Sequence, residues 1–207
     1  MYAKYVKRII DLFLSLTAII ILSPLLLALT IIGTVVMKGN PIFVQERPGK
    51  GEKIIRLLKF RTMTNEKDSE GKLLSDDKRL VPYGKFLRST SLDELPSLVN
   101  IIRGDLAIIG PRPLLIEYLP WYTEEEHHRH DVRPGLTGWA QVNGRNSVDW
   151  NMRFQLDLEY IRNLTFRFDA KIFLFTIKKV VSRSDVAEDT REAEGNLAEI
   201  RQRRGNK

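Results

Sequence analysis

The sequence predicts a mainly helical α+β fold: an apolar N-terminal helix inserted in a membrane, amphipathic surface helices, and a small α/β body with short strands. Three observations carry that class. Leu12 to Val36 is a run of 25 residues without a charge. Apolar residues recur at helical spacing over Asp149 to Asn163 and Asp169 to Ser182, and short β-branched runs bounded by Pro and Gly lie between Pro41 and Phe60. The implied division is a membrane segment over 1–39, a folded body over 40–184 and a charged tail over 185–207.

Composition narrows the function classes. With 207 residues, 43% hydrophobic and 29% charged, the chain is about one domain and neither a disordered tail nor a multi-span transporter. Cysteine is absent. Disulfide scaffolds, iron-sulfur clusters and thiol nucleophiles therefore drop out, and His, Asp and Glu remain as metal ligands. The net charge of +7 sits in the first 61 residues, which hold ten Lys/Arg against three Asp/Glu, while the remaining 146 carry 23 of each. Basic residues flanking the most apolar segment indicate a membrane surface as partner, not nucleic acid.

As a straight helix, Leu12 to Val36 would measure ~38 Å, enough to cross a hydrocarbon core of roughly 30 Å. A cleaved signal peptide fits poorly, because the run is too long and no small-x-small site follows. Ser23-Pro24 near its middle predicts a kink, since proline removes a donor and clashes with the preceding turn. Both flanks are basic, with Lys4, Lys7 and Arg8 before and Lys38, Arg47 and Lys50 after. A straight span would put one set on the unfavoured side, whereas a helix that breaks at Ser23-Pro24 and returns keeps both on the cytosolic side. On the residues alone the span and the hairpin both stand.

Pro41 to Phe60 reads as short strands around the turn Arg47-Pro48-Gly49-Lys50-Gly51, with Ile54-Ile55 and Leu57-Leu58 as buried runs. Residues 64–80 are polar and aperiodic, hence a loop. In the last long helix Phe168, Ile172, Phe175 and Val180 or Val181 form an apolar side read mainly as core; Phe173 and Leu174 widen it enough to allow lipid contact. Beyond Ser184 a frayed helix or disordered tail is expected.

The densest chemistry is Ser91-Leu92-Asp93-Glu94-Leu95-Pro96, followed by Leu98, Val99, Ile101 and Ile102 at helical spacing. Proline is tolerated in a first turn, so Pro96 predicts a helix starting at Asp93 to Leu95. A carboxylate there is held ionised by the macrodipole and could ligate Mg²⁺, attack phosphorus, or simply cap. Gly110-Pro111-Arg112-Pro113 presents a guanidinium restrained by prolines, suited to bidentate phosphate binding. Gly135, Gly138 and Asn143-Gly144-Arg145 offer backbone amides to an anion, and Lys59, Arg61 and Arg88 add charge. His127, His128 and His130 read as surface features, there being no HExxH pattern. Trp121, Trp139 and Trp150 read as core-edge or interfacial residues.

The segments SLDELPSLVNIIRGDLAIIGPRPLLIEYLP, RHDVRPGLTGWAQVNGR and LLKFRTM, together with the helix centred on Ser23-Pro24, resemble the bacterial sugar transferase family, the monotopic phosphoglycosyl transferases. The resemblance covers about residues 1–182 and is nearest the small PglC-type members. It implies transfer of a sugar 1-phosphate from a UDP-sugar to undecaprenyl phosphate, releasing UMP, at the cytosolic face of the bacterial inner membrane. It further implies Asp93 as nucleophile and Mg²⁺ contact, Glu94 as catalytic partner, Arg112 as phosphate binder, and Ser23-Pro24 as the break of a re-entrant helix. Arg88, Lys59, Gln141 and Arg145 match motif positions as substrate-binding candidates. Two other readings compete: a Mg²⁺-dependent phosphohydrolase of lipid or nucleotide diphosphates, and a membrane-anchored binding module in which Asp93 only caps.

Overall fold

The structure is a computed structural model that describes residues 1–144, 149–182 and 196–205. After one π-helical turn over Tyr2–Val6, helix α1 runs from Lys7 to Val36. It is long and apolar enough to cross a membrane by length and composition. Helical backbone continues through Ser23-Pro24, so the expected break is not a gap in the helix. Pro24 has no N–H to offer the carbonyl four residues back; Ser23 Oγ supplies that bond instead, donating to Ile20 O at 2.8 Å. In an apolar environment this matters, because an unbonded carbonyl has no water to turn to.

Both ends of α1 are tied to the same folded body. At its start Lys7 Nζ donates to Asp169 Oδ2 at 2.7 Å, Arg8 donates to the carbonyls of Ile101 and Ile102, and Asp11 accepts the amide of Ile108. Ala18 and Ile19 pack beside buried Leu57, Leu98, Ile101 and Leu106. Towards its end Leu29 is buried with Phe60 and Leu87, its carbonyl accepts the hydroxyl of Tyr83, and Gly33 lies so close to Tyr83 that a Cβ would sit 2.9 Å from its oxygen. Between these anchors Phe13, Ile20, Ile21 and Leu27 stand exposed. α1 is therefore tied to the body near both ends, with exposed apolar side chains between the ties.

The body opens with the expected hairpin: β1 (Ile42–Pro48) pairs antiparallel with β2 (Ile54–Phe60). Of the two runs expected to be buried, Leu57 is enclosed and Ile54 is exposed, the period-2 alternation of a half-buried strand. The polar stretch 64–80 holds only the single turn α2 (Asp76–Arg79) and isolated bridges. α3 (Pro82–Thr90) and α4 (Ser97–Arg103) follow, and then β3 (Ala107–Ile109) pairs parallel with β4 (Gly135–Thr137).

The glycines of this region pack backbone on backbone. A Cβ on Gly135 would lie 2.1 Å from Gly110 N, and one on Gly138 2.1 Å from Gly110 O. The amides of Gly110 and Gly135 are also committed, to Thr137 O and Pro111 O respectively. The expected anion cradle is thus a close approach of chains at these positions.

α5 (Glu124–His127), α6 (Trp139–Val142), α7 (Trp150–Arg162) and α8 (Phe166–Ser182) complete the body. Asp149 caps α7 by accepting Met152 N. α8 begins three residues earlier than expected, where Thr165 Oγ1 accepts Phe168 N and Thr165 O accepts Asp169 N; Asp169 thus lies within the first turn, and its carboxylate takes bonds from Tyr2, Lys7 and Tyr160. Phe168 and Ile172 pack in the core, but Phe173, Leu174, Phe175, Ile177 and Val180 are exposed, so the core reading of that face holds only over the first two turns. The described part of the tail is helical, one of the two forms expected, but it is docked and not frayed. Leu197–Gly205 is helical, with Leu197 buried among Leu114, Tyr118, Tyr122, Trp150 and Phe154, and with Arg201 bonded to both oxygens of Glu126.

Candidate active site

The loop from α3 to α4 sets the site. Ser91 takes a left-handed conformation at the end of α3, and Leu92–Glu94 form a 3-10 turn before α4 starts at Ser97. The helix thus begins later than Pro96 suggested, and Pro96 itself occupies the N-cap with no side chain bonded to the first amides. Asp93 is therefore not the N-cap of α4.

Glu94 and Asp93 face the same cations in different ways. Glu94 Oε1 accepts Lys59 Nζ from β2 and Arg112 Nη2 from the segment after β3, each at 2.9 Å. These two cations outweigh the burial that opposes ionisation, so the Glu94 carboxyl titrates well below its usual range. Asp93 goes the other way. Burial and the neighbouring charge of Glu94 push its carboxyl up, against the opposing pull of Lys59, Arg112 and Arg88. The result is one carboxylate neutralised by direct pairing and, next to it, a partly desolvated carboxylate in a positive field. Stripping water from a carboxylate while cations lie close is how an acyl-phosphate-forming nucleophile is prepared.

Lys59 is brought there because α4 docks along the outer edge of β2. Asn100 accepts Leu58 N at 3.0 Å and donates to Arg56 O at 2.7 Å, while Ser97 Oγ donates to Leu58 O. Side chains here replace a missing neighbour strand, satisfying backbone groups that would otherwise be orphaned. Asn100 is fully buried, and its signal in the sequence is a lone amide inside the apolar run Leu98 to Ile102. Arg112 is held in place by another pair the sequence reading missed. Buried Arg129 donates to Arg112 O at 2.8 Å and pairs with buried Asp157 at 2.7 Å. Arg88, on α3, bonds Thr62 Oγ1 at 3.1 Å and contributes to the field at Asp93.

Of the expected site residues, Asp93, Glu94, Lys59, Arg112 and Arg88 come together. Gln141 does not join them by any bond; its amide donates to Leu136 O and steadies the turn into α6. Arg145 lies outside the described residues. The three histidines divide: His128 is exposed, His127 is half-exposed and His130 is buried, so the surface reading holds for the first alone. Trp139 and Trp150 are buried in the core.

The Arg129–Asp157 pair gives a stability prediction. Asp157→Ala leaves a guanidinium buried without its partner, a loss of about 3–5 kcal/mol and a fall in Tm on the order of 10 °C for a chain of this size. Glu125→Ala, which unpairs the exposed Arg162, should cost under about 1 kcal/mol. Thermal unfolding of the two variants side by side measures this, and equal shifts would contradict the assigned burial of the first pair.

Sequence comparison places a class on this geometry: the chain belongs to the bacterial sugar transferase family, whose profile matches residues 2–183. Within the family it is similar to the uncharacterized sugar transferase EpsL of Bacillus subtilis, at 51% identity over 144 residues, 69% of this chain and 71% of that one. It is 36% identical to the undecaprenyl-phosphate galactose phosphotransferase of Salmonella typhimurium over 89% of this chain, and 37% identical to the UDP-glucose:undecaprenyl-phosphate glucose-1-phosphate transferase of Escherichia coli over 85%. The chain spans 42% and 40% of the lengths of those two relatives.

Proposed function

We propose that the chain transfers a sugar 1-phosphate from a UDP-sugar to undecaprenyl phosphate, forming undecaprenyl-diphosphate-sugar and UMP. The observation that carries the reading is the Asp93 carboxylate, raised by burial beside a Glu94 that holds Lys59 and Arg112, in a member of the sugar transferase family. The relatives that share this region are named for that activity.

In the first step an Asp93 oxygen attacks the β-phosphorus of the UDP-sugar. The bond to the bridging oxygen breaks, and UMP leaves with the electron pair. In the second step a phosphate oxygen of the lipid attacks the same phosphorus and Asp93 departs as a carboxylate. Arg112 and Lys59 offset charge on the phosphoryl oxygens, and Glu94 positions both cations. The covalent route lets two anionic substrates use one small site in turn. Mg²⁺ fits here through Asp93, since Glu94 is committed to two cations and such sites take one or two carboxylates plus substrate phosphates. When bound, it would add charge neutralisation on the diphosphate. A phosphohydrolase reading differs only in the acceptor. Product analysis separates the two, because a transferase forms lipid-linked sugar only when lipid phosphate is supplied.

The same reading makes α1 re-entrant, at the cytosolic face of the inner membrane. Its support is the pair of anchors at Lys7 to Asp11 and Leu29 to Gly33, about 18 to 26 residues apart and bonded to one body. A straight helix crossing the bilayer would carry one end roughly 30 Å from that body. The exposed apolar residues of α8 add a second lipid contact. Cysteines replacing Lys4 and Lys38, introduced one at a time into a chain with none, should both resist an impermeant thiol reagent in intact spheroplasts and react after lysis. External labelling at position 4 would establish a span and refute the hairpin.

A further inference from the structure

Away from Asp93, three side chains from two distant parts of the sequence converge without an assigned role. In the turn between β1 and β2, Gly51 and Glu52 both take left-handed conformations, with φ of 60° and 61°. Glycine adopts that region freely, but glutamate does so at a cost, so the turn is held there by what its side chain meets. Glu52 Oε1 lies against His127 Nδ1 and 3.4 Å from His130 Nδ1. The histidines are one helical turn apart and share a face. Their segment is fixed at its start by a reciprocal Thr123–Glu126 capping box and, between the two rings, by Arg129 on Asp157.

His130 is the informative member. It is 5% exposed, and neither of its ring nitrogens has a hydrogen-bond partner. The Tyr122 ring stacks on it at 5.6 Å and meets His127 edge-on at 5.6 Å, so aromatic contacts orient both imidazoles. The 3.4 Å between His130 Nδ1 and Glu52 Oε1 is not aligned as a hydrogen bond. It matches the separation of about 3.3 Å between two ligands of one tetrahedral ion with bonds near 2.0 Å, whereas Glu52 Oε1 and His127 Nδ1 are hydrogen-bonded to each other and part to admit an ion. All three ligand atoms lie within 4.8 Å of one another.

We propose that Glu52 Oε1, His127 Nδ1 and His130 Nδ1 form a binding site for a divalent cation of the zinc class. Two imidazoles and one carboxylate suit Zn²⁺ and its transition-metal neighbours, whereas Mg²⁺ and Ca²⁺ prefer all-oxygen shells. The side chains of His127 and Glu52 are 40% and 38% exposed, so an ion enters from solvent and keeps water in a fourth position. Bound there, it ties the hairpin that carries Lys59 to the segment whose Arg129 holds Arg112. It is a structural tie with no ligand from the Asp93 cluster.

The test uses the full chain in detergent, purified without a histidine tag and stripped with a chelator. Zinc is titrated against a chromophoric competitor with millimolar Mg²⁺ present, and Tm is followed in parallel. We expect one zinc per chain and a Tm increase of about 5–10 °C at a hundredfold excess over Kd. Glu52→Gln and His127→Ala should each weaken binding at least tenfold, while His128→Ala and Asp93→Asn leave it unchanged. Because His130→Ala opens a buried position and can fail to fold, the two exposed ligands carry the test. A wild-type Kd weaker than about 1 mM, zinc affinity unchanged in Glu52→Gln and His127→Ala, or an equal Tm response to Mg²⁺ alone would overturn the site.

Discussion

Asp93→Asn is expected to reduce turnover on the order of 10³-fold or more while leaving the protein folded. The amide is nearly isosteric and makes no new demand on the 3-10 turn, but it is neither anionic nor nucleophilic. It also removes the like charge beside Glu94, so the Lys59–Glu94–Arg112 cluster should be retained or strengthened. UMP release from a UDP-sugar, measured alongside Tm, separates the two effects. A variant with unchanged Tm and substantial turnover would remove Asp93 from the nucleophile's role and pass it to another group.

Arg112→Lys carries the second largest expected effect. Arginine can bond Glu94 through one Nη while presenting other donors to a phosphate, and a lysine ammonium at the same position reaches one or the other. One lost charge-assisted bond corresponds to a fall in kcat/KM of about 10- to 100-fold. Net charge is unchanged, so the loss should exceed anything seen in stability or in membrane association. Activity within about twofold of wild type, on the scale of a contact worth under 0.5 kcal/mol, would reduce Arg112 to a diffuse electrostatic role.

Local signals in the chain expose some features of this molecule and hide others. The hairpin, α7 and the membrane-length helix were legible because turn residues, helical periodicity and an uncharged run each act over a few positions. The start of α4 was misjudged because Ser91 and Leu92 to Glu94 spend a turn in 3-10 geometry first, a tertiary choice made by the close approach of α3. The site motif around Asp93 and Arg112 was readable from local pattern, but its supports were not. Asn100, Arg129 and Asp157 act on partners 17 to 44 residues away; Asn100 shows locally only as a lone amide in an apolar run, which does not say what it bonds. Similarly, the glycines near Arg133 looked like an anion cradle, because close packing of β3 on β4 selects the same residue type. The docking of the tail, expected as a frayed helix or a disordered segment, was not legible because only two apolar residues, Leu197 and Ile200, one turn apart, dock the helix that Arg201 then fastens to Glu126.

The central claim is that Asp93 carries the phosphosugar between the two substrates. Intact-protein mass spectrometry after incubation with a UDP-sugar, in the absence of lipid phosphate, addresses it most directly. The account predicts a mass increase of one sugar phosphate that maps to Asp93, is absent in Asp93→Asn, and disappears when undecaprenyl phosphate is added. An adduct on another residue, or release of UMP only when both substrates are present and with no adduct at any time, would contradict it.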